Sequence, residues 1–340
     1  MKVKKYGFAV LFAIALFVFT GYLLADTFLI SRVYTVVEQA QTPVGQEESE
    51  TVEFVLSQPT AQPEATEQAE TTAQPDVTER TEAAAQPTAE ALTIAPVSDE
   101  TSYSDGNIAI ALSTYRIADT TVYVADVQLS SADYLKTAFA QSAYGRNVTE
   151  KTSSIASSVD AILAINGDYY GAQRSGYVIR NGVLYRSSSS GSEDLVIYAD
   201  GSFGIVSEND VTAEELLERG AWNVLSFGPA LVADGTVTVG VNDEVGKAMA
   251  SNPRTAIGMI DDLHYVFAVA DGRTSASEGL SLYELATFLQ ELGVKTAYNL
   301  DGGGSSSMVF MGNLINNPTT NGKRTSERSV SDIVYIGYGA

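Results

Sequence analysis

An apolar segment near the N-terminus and the polar tract after it restrict where this chain of 340 residues can build a folded core. Residues 7–25 carry no charged side chain, and an α-helix of about this length crosses a bilayer. Three lysines lie within the first five residues, and positive charge favours the cytoplasmic side of a span. A cleaved signal peptide is the alternative, but LLA at 23–25 is a poor cleavage site. We therefore expect residues 1–30 to be a transmembrane signal anchor in the cell membrane, single-pass, with a cytoplasmic N-terminus and an extracellular remainder.

The tract that follows is rich in Glu, Gln, Thr and Pro. Residues 38–100 contain fourteen acidic residues and one basic residue, Arg80, and few large apolar side chains. Such a composition cannot bury enough apolar surface to offset the entropy of ordering the chain. We expect residues 31–102 to be a disordered acidic linker that holds the next domain away from the membrane. Most of the net charge of −22 belongs to this linker, and an acidic chain argues against a nucleic-acid partner.

The residue types that are absent or rare exclude several chemistries. The chain has no cysteine, so it has no disulfide framework, thiol nucleophile or thiolate metal site. Its single histidine, His264, lies in an apolar run that is typical of a strand, and we expect a structural role for it. A Ser-His-Asp triad and a multi-histidine zinc site are therefore disfavoured.

Residues 103–340 form the candidate folded domain, and short strand patterns dominate them. Two alternating segments, 108–115 and 121–129, predict strands, and NG at 181–182 predicts a hairpin turn. Thr212 with Glu215 and Ser281 with Glu284 form capping boxes, which mark the starts of two helices. The predicted class is α+β: a mixed β-sheet domain with a few packed helices, preceded by a transmembrane helix and a disordered linker.

The second predicted helix lies between apolar runs at 265–270 and 296–300. This arrangement predicts a strand-helix-strand crossover, right-handed, with parallel strands whose carboxyl ends reach one edge of a sheet. DGR at 271–273 and NLDGGGSSS at 299–307 follow those ends, and a third apolar run ends in NGDYY at 166–170. Each loop by itself could be an ordinary turn, but three such loops together favour a shared site.

Two features of these loops suit an anion. Serial glycines permit positive φ and let backbone N–H groups approach a ligand, although a flexible surface loop has the same composition. Arg254, Arg273 and Arg328 offer guanidinium donors that match phosphate or carboxylate oxygens. For Arg328, structural pairing with Glu327 is an alternative.

The folded part carries eight short motifs in a definite order. They are AINGDYY (164–170), GYVIRNG (176–182), FGP (227–229), RTAIG (254–258), DGR (271–273), GLSLYELA (279–286), NLDGGGSS (299–306) and ERSV (327–330). This order resembles the phosphodiester glycosidase family, which includes N-acetylglucosamine-1-phosphodiester alpha-N-acetylglucosaminidases and bacterial exopolysaccharide biosynthesis proteins. The resemblance covers roughly residues 105–340. Two departures are Asp168, where a small residue is common, and a polar insert at 319–326.

The resemblance implies a hydrolase that cleaves sugar-1-phosphodiesters between the anomeric carbon and its oxygen. Its substrate would be a cell-wall glycopolymer or exopolysaccharide. A departing phosphate monoester, with a second pKa of about 6, needs charge neutralisation more than a strong general acid. Arginines and loop N–H groups would supply that neutralisation, and a carboxylate would activate water or stabilise an oxocarbenium-like centre.

On this basis we expect Asp301 to be the principal catalytic carboxylate, with Asp271 or Glu327 as the second. A divalent cation held by the aspartates is an option, and no cofactor is certain. Two alternatives stay open: a metal-dependent phosphodiesterase or transferase on the same substrates, and a non-catalytic glycopolymer-binding module. The expected substrate-binding residues are Asn166, Asp168, Arg254, Arg273, Gly302, Gly303, Ser305, Ser306 and Arg328, of which Asp168 departs from the family pattern.

Overall fold

The computed structural model describes residues 7–34, 101–244 and 251–339. Four α-helices lie in these ranges, and short 3-10 turns occupy Ala132–Tyr134, Ala140–Ser142, Tyr170–Ala172 and Gly303–Ser305. The α-helices are α1 (Gly7–Phe28), α2 (Thr152–Ser158), α3 (Ala213–Glu218) and α4 (Leu282–Glu291).

The strands are short and numerous, which is typical of a sheet-rich domain. In chain order they are β1 (Arg32–Val33), β2 (Thr101–Ser104), β3 (Ile108–Ile117), β4 (Thr120–Leu129), β5 (Leu135–Phe139), β6 (Gly145–Arg146), β7 (Glu150–Lys151), β8 (Leu163–Asn166), β9 (Val178–Arg180), β10 (Val183–Arg186), β11 (Glu193–Tyr198), β12 (Phe203–Ser207), β13 (Ala221–Leu225), β14 (Ala230–Ala233), β15 (Thr236–Val237), β16 (Arg254–Asp261), β17 (His264–Ala270), β18 (Thr296–Asn299), β19 (Met308–Phe310), β20 (Asn313–Leu314), β21 (Ser329–Val330) and β22 (Asp332–Ile336).

Three large sheets enclose the main core. The eight-stranded sheet has the order β15-β14-β18-β16-β17-β4-β3-β2, and the two five-stranded sheets have the orders β10-β9-β13-β11-β12 and β20-β19-β8-β22-β5. Side chains such as Val127, Leu195 and Ile165, one from each sheet, belong to one buried cluster. Helices α4, α2 and α3 each contact one of these three sheets, and α2 also contacts β7. Few helices on predominantly antiparallel sheets fit the predicted α+β class.

The capping boxes and the hairpin turn are confirmed. Ser281 and Glu284 exchange hydrogen bonds at the start of α4, and Thr212 and Glu215 do so at α3. Asn181 and Gly182 both have positive φ, 49° and 76°, between β9 and β10. These features depend on residues that are close in sequence, so local side-chain chemistry is enough to specify them.

Helix α4 connects two strands that run in the same direction. β17 and β18 each pair antiparallel with β16, which lies between them. Both strands therefore end at the same edge of the sheet, and Arg254 starts β16 at that edge because it pairs with Ala270. The common direction agrees with the predicted crossover, whose handedness stays a prediction.

The predicted linker boundaries, 31–102, are wrong at both ends. Arg32 and Val33 pair with β6, the N–H of Tyr34 donates to the carbonyl of Tyr144 (2.9 Å), and β2 pairs with β3. The residues immediately after α1 thus pair with the folded domain, whereas the prediction made them part of a linker that separates the two. The prediction of disorder concerns residues 35–100, which lie outside the described residues.

Helix α1 is long and apolar enough to cross a membrane, with a mean hydropathy of 2.0 over Val10–Thr27. Its C-terminal carbonyls are bonded by the folded domain. The side-chain amide of Asn147 donates to the carbonyls of Thr27 (3.2 Å) and Ile30 (3.0 Å), and Ser31 Oγ donates to the Asn147 carbonyl (2.8 Å). The C-terminal end of α1 is therefore attached to the domain through carbonyl groups that have no hydrogen-bond partner within the helix.

Candidate active site

The three loops predicted to share a site do meet, although β8 belongs to a different sheet from β17 and β18. The N–H of Asp301 donates to the carbonyl of Gly167 (3.3 Å), and the N–H of Leu300 donates to the carbonyl of Thr255 (2.9 Å). The N–H of Gly303 donates to the carbonyl of Pro253 (2.8 Å). The loop at 299–307 is consequently held between the segment before β16 and the end of β8.

Asp301 is an almost buried carboxylate with an arginine partner. Its Oδ2 accepts from Arg328 Nη2 (2.9 Å), and Arg328 Nε donates to Ser305 Oγ (2.8 Å). Burial raises the pKa of Asp301, while the charge of Arg328 and the hydroxyl of Ser305 oppose that rise. Arg328 itself is 46% exposed in its side chain, so this charge pair faces solvent on the arginine side.

Arg273 is the second cation at this loop. Its backbone has φ of 62°, its Nη1 donates to the carbonyl of Thr320 (2.8 Å), and its Nη2 donates to Asn252 Oδ1 (3.1 Å). Burial and the nearby positive charge of Arg328 lower the pKa of Arg273. None of the ion pairs within the described ranges gives Arg273 a carboxylate. Two guanidinium groups thus lie within electrostatic reach of each other at one loop.

Asp271 lies beside this loop in a network of uncharged donors. Its Oδ1 accepts from the backbone N–H of Asn317 (2.9 Å) and from Asn316 Nδ2 (3.1 Å). The same Asn316 amide donates to the carbonyl of Ser306 (2.9 Å), which connects Asp271 to the glycine loop. Burial, followed by the charge of Asp271, raises the pKa of Tyr123 to about 12. The predicted site residues do not include the three partners of Asp271, which are Tyr123, Asn316 and Asn317. The consecutive asparagines at 316–317 are the sequence signal that could have indicated them.

Glu327 is bonded to α2. Its Oε1 accepts from the backbone N–H of Ser153 (3.0 Å), and its Oε2 accepts from Ser153 Oγ (2.6 Å). A carboxylate at a helix N-terminus satisfies donors that have no partner inside the helix. Glu327 therefore fixes the backbone next to Arg328, and the alternative of a direct Glu327–Arg328 ion pair is not what the structure has.

Asn166, which is expected to bind substrate, has its side-chain amide bonded within the domain. It is fully buried, and its Nδ2 donates to the carbonyl of Asp301 (2.6 Å). Its Oδ1 accepts from Thr255 Oγ1 (2.8 Å) and from the N–H of Ser307 (3.2 Å). With its amide occupied in this way, Asn166 is a positioning residue for the Asp301 loop.

Asp168 and Arg254 likewise have internal partners. Asp168 Oδ2 accepts from Arg180 Nη2 (3.0 Å) and from the N–H of Ser226 (2.8 Å) in a fully buried network. Arg254 is buried, and its guanidinium binds Glu244 (2.5 Å) and the carbonyl of Leu280 (2.9 Å). Both were expected to bind substrate, but their charges are satisfied within the domain.

The glycine loop also differs from the predicted anion grip. The N–H of Gly303 is bonded to Pro253, and the N–H groups of Ser305 and Ser306 donate to the carbonyls of Gly302 and Gly303 (both 3.3 Å). These backbone donors therefore shape the loop in this conformation. The hydroxyl of Ser306 is buried without a hydrogen-bond partner. Within the ranges that the structure describes, no three Asp, Glu or His side chains form a group that could hold a metal ion.

Comparison with known proteins identifies a family for this chain. The family model for phosphodiester glycosidase matches residues 160–337. The uncharacterized SPbeta prophage-derived protein YomE of Bacillus subtilis (strain 168) is 30% identical over 201 residues, covering 57% of this chain and 31% of that protein. The mouse (Mus musculus) N-acetylglucosamine-1-phosphodiester alpha-N-acetylglucosaminidase is 31% identical over 175 residues, covering 46% of this chain and 33% of the mouse protein.

A solved structure shares the fold. The zebrafish N-acetylglucosamine-1-phosphodiester alpha-N-acetylglucosaminidase catalytic domain, auto-inhibited by its pro-peptide, superposes with a TM-score of 0.54 at 22% identity. That superposition covers 74% of this chain and 85% of the zebrafish chain, whereas the matches to the curated relatives above span about a third of their length. With its family model matched over more than half of its residues, the chain belongs to the phosphodiester glycosidase family.

Proposed function

We propose that this chain is an extracellular, membrane-anchored hydrolase that cleaves sugar-1-phosphodiester linkages in a cell-wall glycopolymer or exopolysaccharide. The observation that carries the proposal is the pair of cations at the glycine loop. Arg273 has no carboxylate partner within the described residues, and burial together with the nearby positive charge of Arg328 lowers the pKa of Arg273. A bound phosphate would neutralise both, because guanidinium donors match its oxygens.

Phosphate binding at these arginines serves the departure of the leaving group. As the bond between the anomeric carbon and oxygen breaks, the phosphate takes the electron pair and gains negative charge. Arg273 and Arg328 stabilise that charge where it develops, so no strong general acid is needed. Water supplies the hydroxyl that the anomeric carbon acquires.

Asp301 is the carboxylate best placed to act on the sugar. Arg328 belongs to the proposed phosphate site and also donates to Asp301, so one guanidinium would bind both the catalytic carboxylate and the leaving group. In its ionised form Asp301 activates water or stabilises the oxocarbenium-like centre. Asp271, connected through Asn316, is the proposed second carboxylate, and Glu327 keeps Arg328 in position through Ser153.

The test is hydrolysis of a sugar-1-phosphodiester in oxygen-18 water by wild type and Asp301→Asn. We expect the label in the released sugar, and loss of turnover with retained binding in the variant. Asp261→Asn is the matched control, since Asp261 is exposed and forms an ion pair with Lys295 at 3.3 Å. Label in the phosphate would instead identify a phosphodiesterase, and turnover that survives Asp301→Asn in a folded protein would refute the role of Asp301.

A further inference from the structure

A cavity of about 660 Å³ lies where α1 meets the domain. Its wall includes Asp26, Arg32 and Tyr34 from the N-terminal segment, and residues from the loop after β8 and from β10. None of the residues that bond Asp301, Asp271 or Arg273 lines it. It is therefore a separate site from the candidate active site.

The wall of this cavity is positively charged. Four of the twelve arginines in the chain line it, against one carboxylate, Asp26. Asp26 binds Arg32 and lies 3.5 Å from Arg146. Arg186 donates to the carbonyls of Gly176 (2.6 Å) and Tyr170 (3.1 Å), which leave its charge uncompensated. In a chain with a net charge of −22, such a concentration of arginine is a specific feature of this surface.

Three polar atoms of the lining residues have no hydrogen-bond partner. Arg186 Nη2, Arg146 Nε and the Tyr170 hydroxyl are buried without a hydrogen bond. Leaving a buried donor of a charged group unsatisfied costs free energy, which an anionic ligand would recover by accepting from it. The fourth arginine, Arg174, is exposed at the rim. The donors of the cavity are thus of the kind that binds phosphate oxygens.

Four tyrosines form much of the remaining wall. Tyr144 is stacked on Tyr170 with ring centroids 5.3 Å apart, and Tyr185 and Tyr34 lie 5.0 Å and 5.8 Å from Tyr144. Tyrosine rings present an apolar face to C–H groups and a hydroxyl to water, and they concentrate at membrane interfaces. A ligand with a phosphate and a short polyol would satisfy both kinds of wall.

The position of the cavity points to the source of that ligand. Its lining begins at Asp26, within the last turn of α1, and Asn147 bonds the carbonyls at the end of the same helix. If α1 spans the bilayer, the cavity is at the depth of the lipid headgroups. We propose that it binds the phosphate-bearing headgroup of an anionic phospholipid such as phosphatidylglycerol. This inference depends on the membrane placement of α1 and not on the hydrolase reaction.

The experiment is native mass spectrometry of the full chain in detergent, titrated with phosphatidylglycerol or phosphatidylcholine of equal chain length. We expect preferential retention of phosphatidylglycerol, reduced about fivefold by Arg174→Gln, which removes one positive charge near the headgroup. Arg174→Lys should keep most of the preference. Arg219→Gln, an exposed arginine at the end of α3, is the matched control and should match wild type.

Three results would overturn the assignment. Equal retention of both lipids, or a preference unaffected by Arg174→Gln, would mean that the cavity does not distinguish the lipids by headgroup charge. Displacement of the signal by soluble glycerol phosphate without any lipid preference would make it a site for soluble phosphate esters. Asp301→Asn should retain the lipid, so failure of the hydrolase proposal would be recognised separately. Thermal unfolding of each variant would identify any loss of folding.

Discussion

The guanidinium of Arg273 occupies the space that a Cβ on Gly303 would need: an added Cβ would lie 2.9 Å from Arg273 Nη2. Gly303 also has φ of 64°, which side-chain-bearing residues rarely adopt. The conformation of the 299–307 loop and the position of the Arg273 guanidinium therefore both require that residue 303 has no side chain.

Replacing Gly303 by Ala should displace Arg273 and reduce kcat/KM at least tenfold, on the order of 1.4 kcal/mol of transition-state stabilisation. The matched control is Gly312→Ala. Gly312 has φ of 78° but no neighbouring atom within 4 Å of the added Cβ, so it carries the backbone penalty alone. Steady-state kinetics and urea unfolding of both variants separate the two effects. Equal kinetics in the two would contradict a role for the contact.

Removing the charge of Arg273 should weaken phosphate recognition. Arg273→Gln is expected to lower kcat/KM by about 100-fold, since a charge-assisted hydrogen bond contributes roughly 1.5–3 kcal/mol. Arg324→Gln, at an exposed position in the polar insert, should remain close to wild type. The measurement is sugar release from a defined sugar-1-phosphodiester. Full activity of folded Arg273→Gln would remove Arg273 from the site.

The acidic limb of the pH–rate profile should report Asp301. Burial raises its pKa, so activity that needs the ionised carboxylate is gained as pH rises through a pKa above the ordinary aspartate value of about 3.9. Arg328 opposes that rise, and Arg328→Gln should therefore move the limb to higher pH in addition to lowering the rate. With Arg324→Gln the limb should not move. An identical limb in wild type and Arg328→Gln would contradict the coupling.

Asp194 should make the domain less stable as pH rises. Burial, then the negative charge of Glu208, raises the pKa of Asp194 to about 9. The folded state therefore binds a proton that the unfolded state releases, and the free energy of unfolding falls between about pH 4 and pH 9. Asp194→Asn should remove part of this fall in chemical unfolding at pH 5 and pH 8. Asp200→Asn is the opposite case, because hydrogen bonds from Ser202 lower the pKa of Asp200.

The absence of cysteine makes membrane orientation easy to measure. A single Lys323→Cys in the domain should react with a membrane-impermeant maleimide in intact cells, whereas Lys2→Cys should react only after lysis. The unsubstituted chain supplies the background because it has no thiol. Labelling in the reverse order would contradict the proposed extracellular domain.

Local features of this fold could be predicted from the sequence, and distant partners could not. The capping box of Ser281 and Glu284 spans three residues, so its chemistry is visible in the sequence. Asn166 binds the carbonyl of Asp301 across 135 positions, and Ser153 binds Glu327 across 174. Sequence patterns placed Asp301, Arg273 and Arg328 in candidate loops. Whether a given amide or carboxylate binds substrate or another loop depends on which chain segments meet in the fold. A local sequence pattern does not predict which distant segments those are.

The pairing of β1 with β6 changes what a break in the acidic tract would do. Residues 34 and 101 both lie in the folded domain, so the tract between them begins and ends on the same body. A single proteolytic nick within residues 35–100 would divide the polypeptide into two fragments that remain assembled. The N-terminal fragment would be retained by the β1–β6 strand pair, the Tyr34–Tyr144 backbone hydrogen bond, the hydrogen bonds of Asn147 and the Asp26–Arg146 contact. Separation of that fragment from the domain would then be governed by the dissociation rate of these contacts rather than by the cleavage itself.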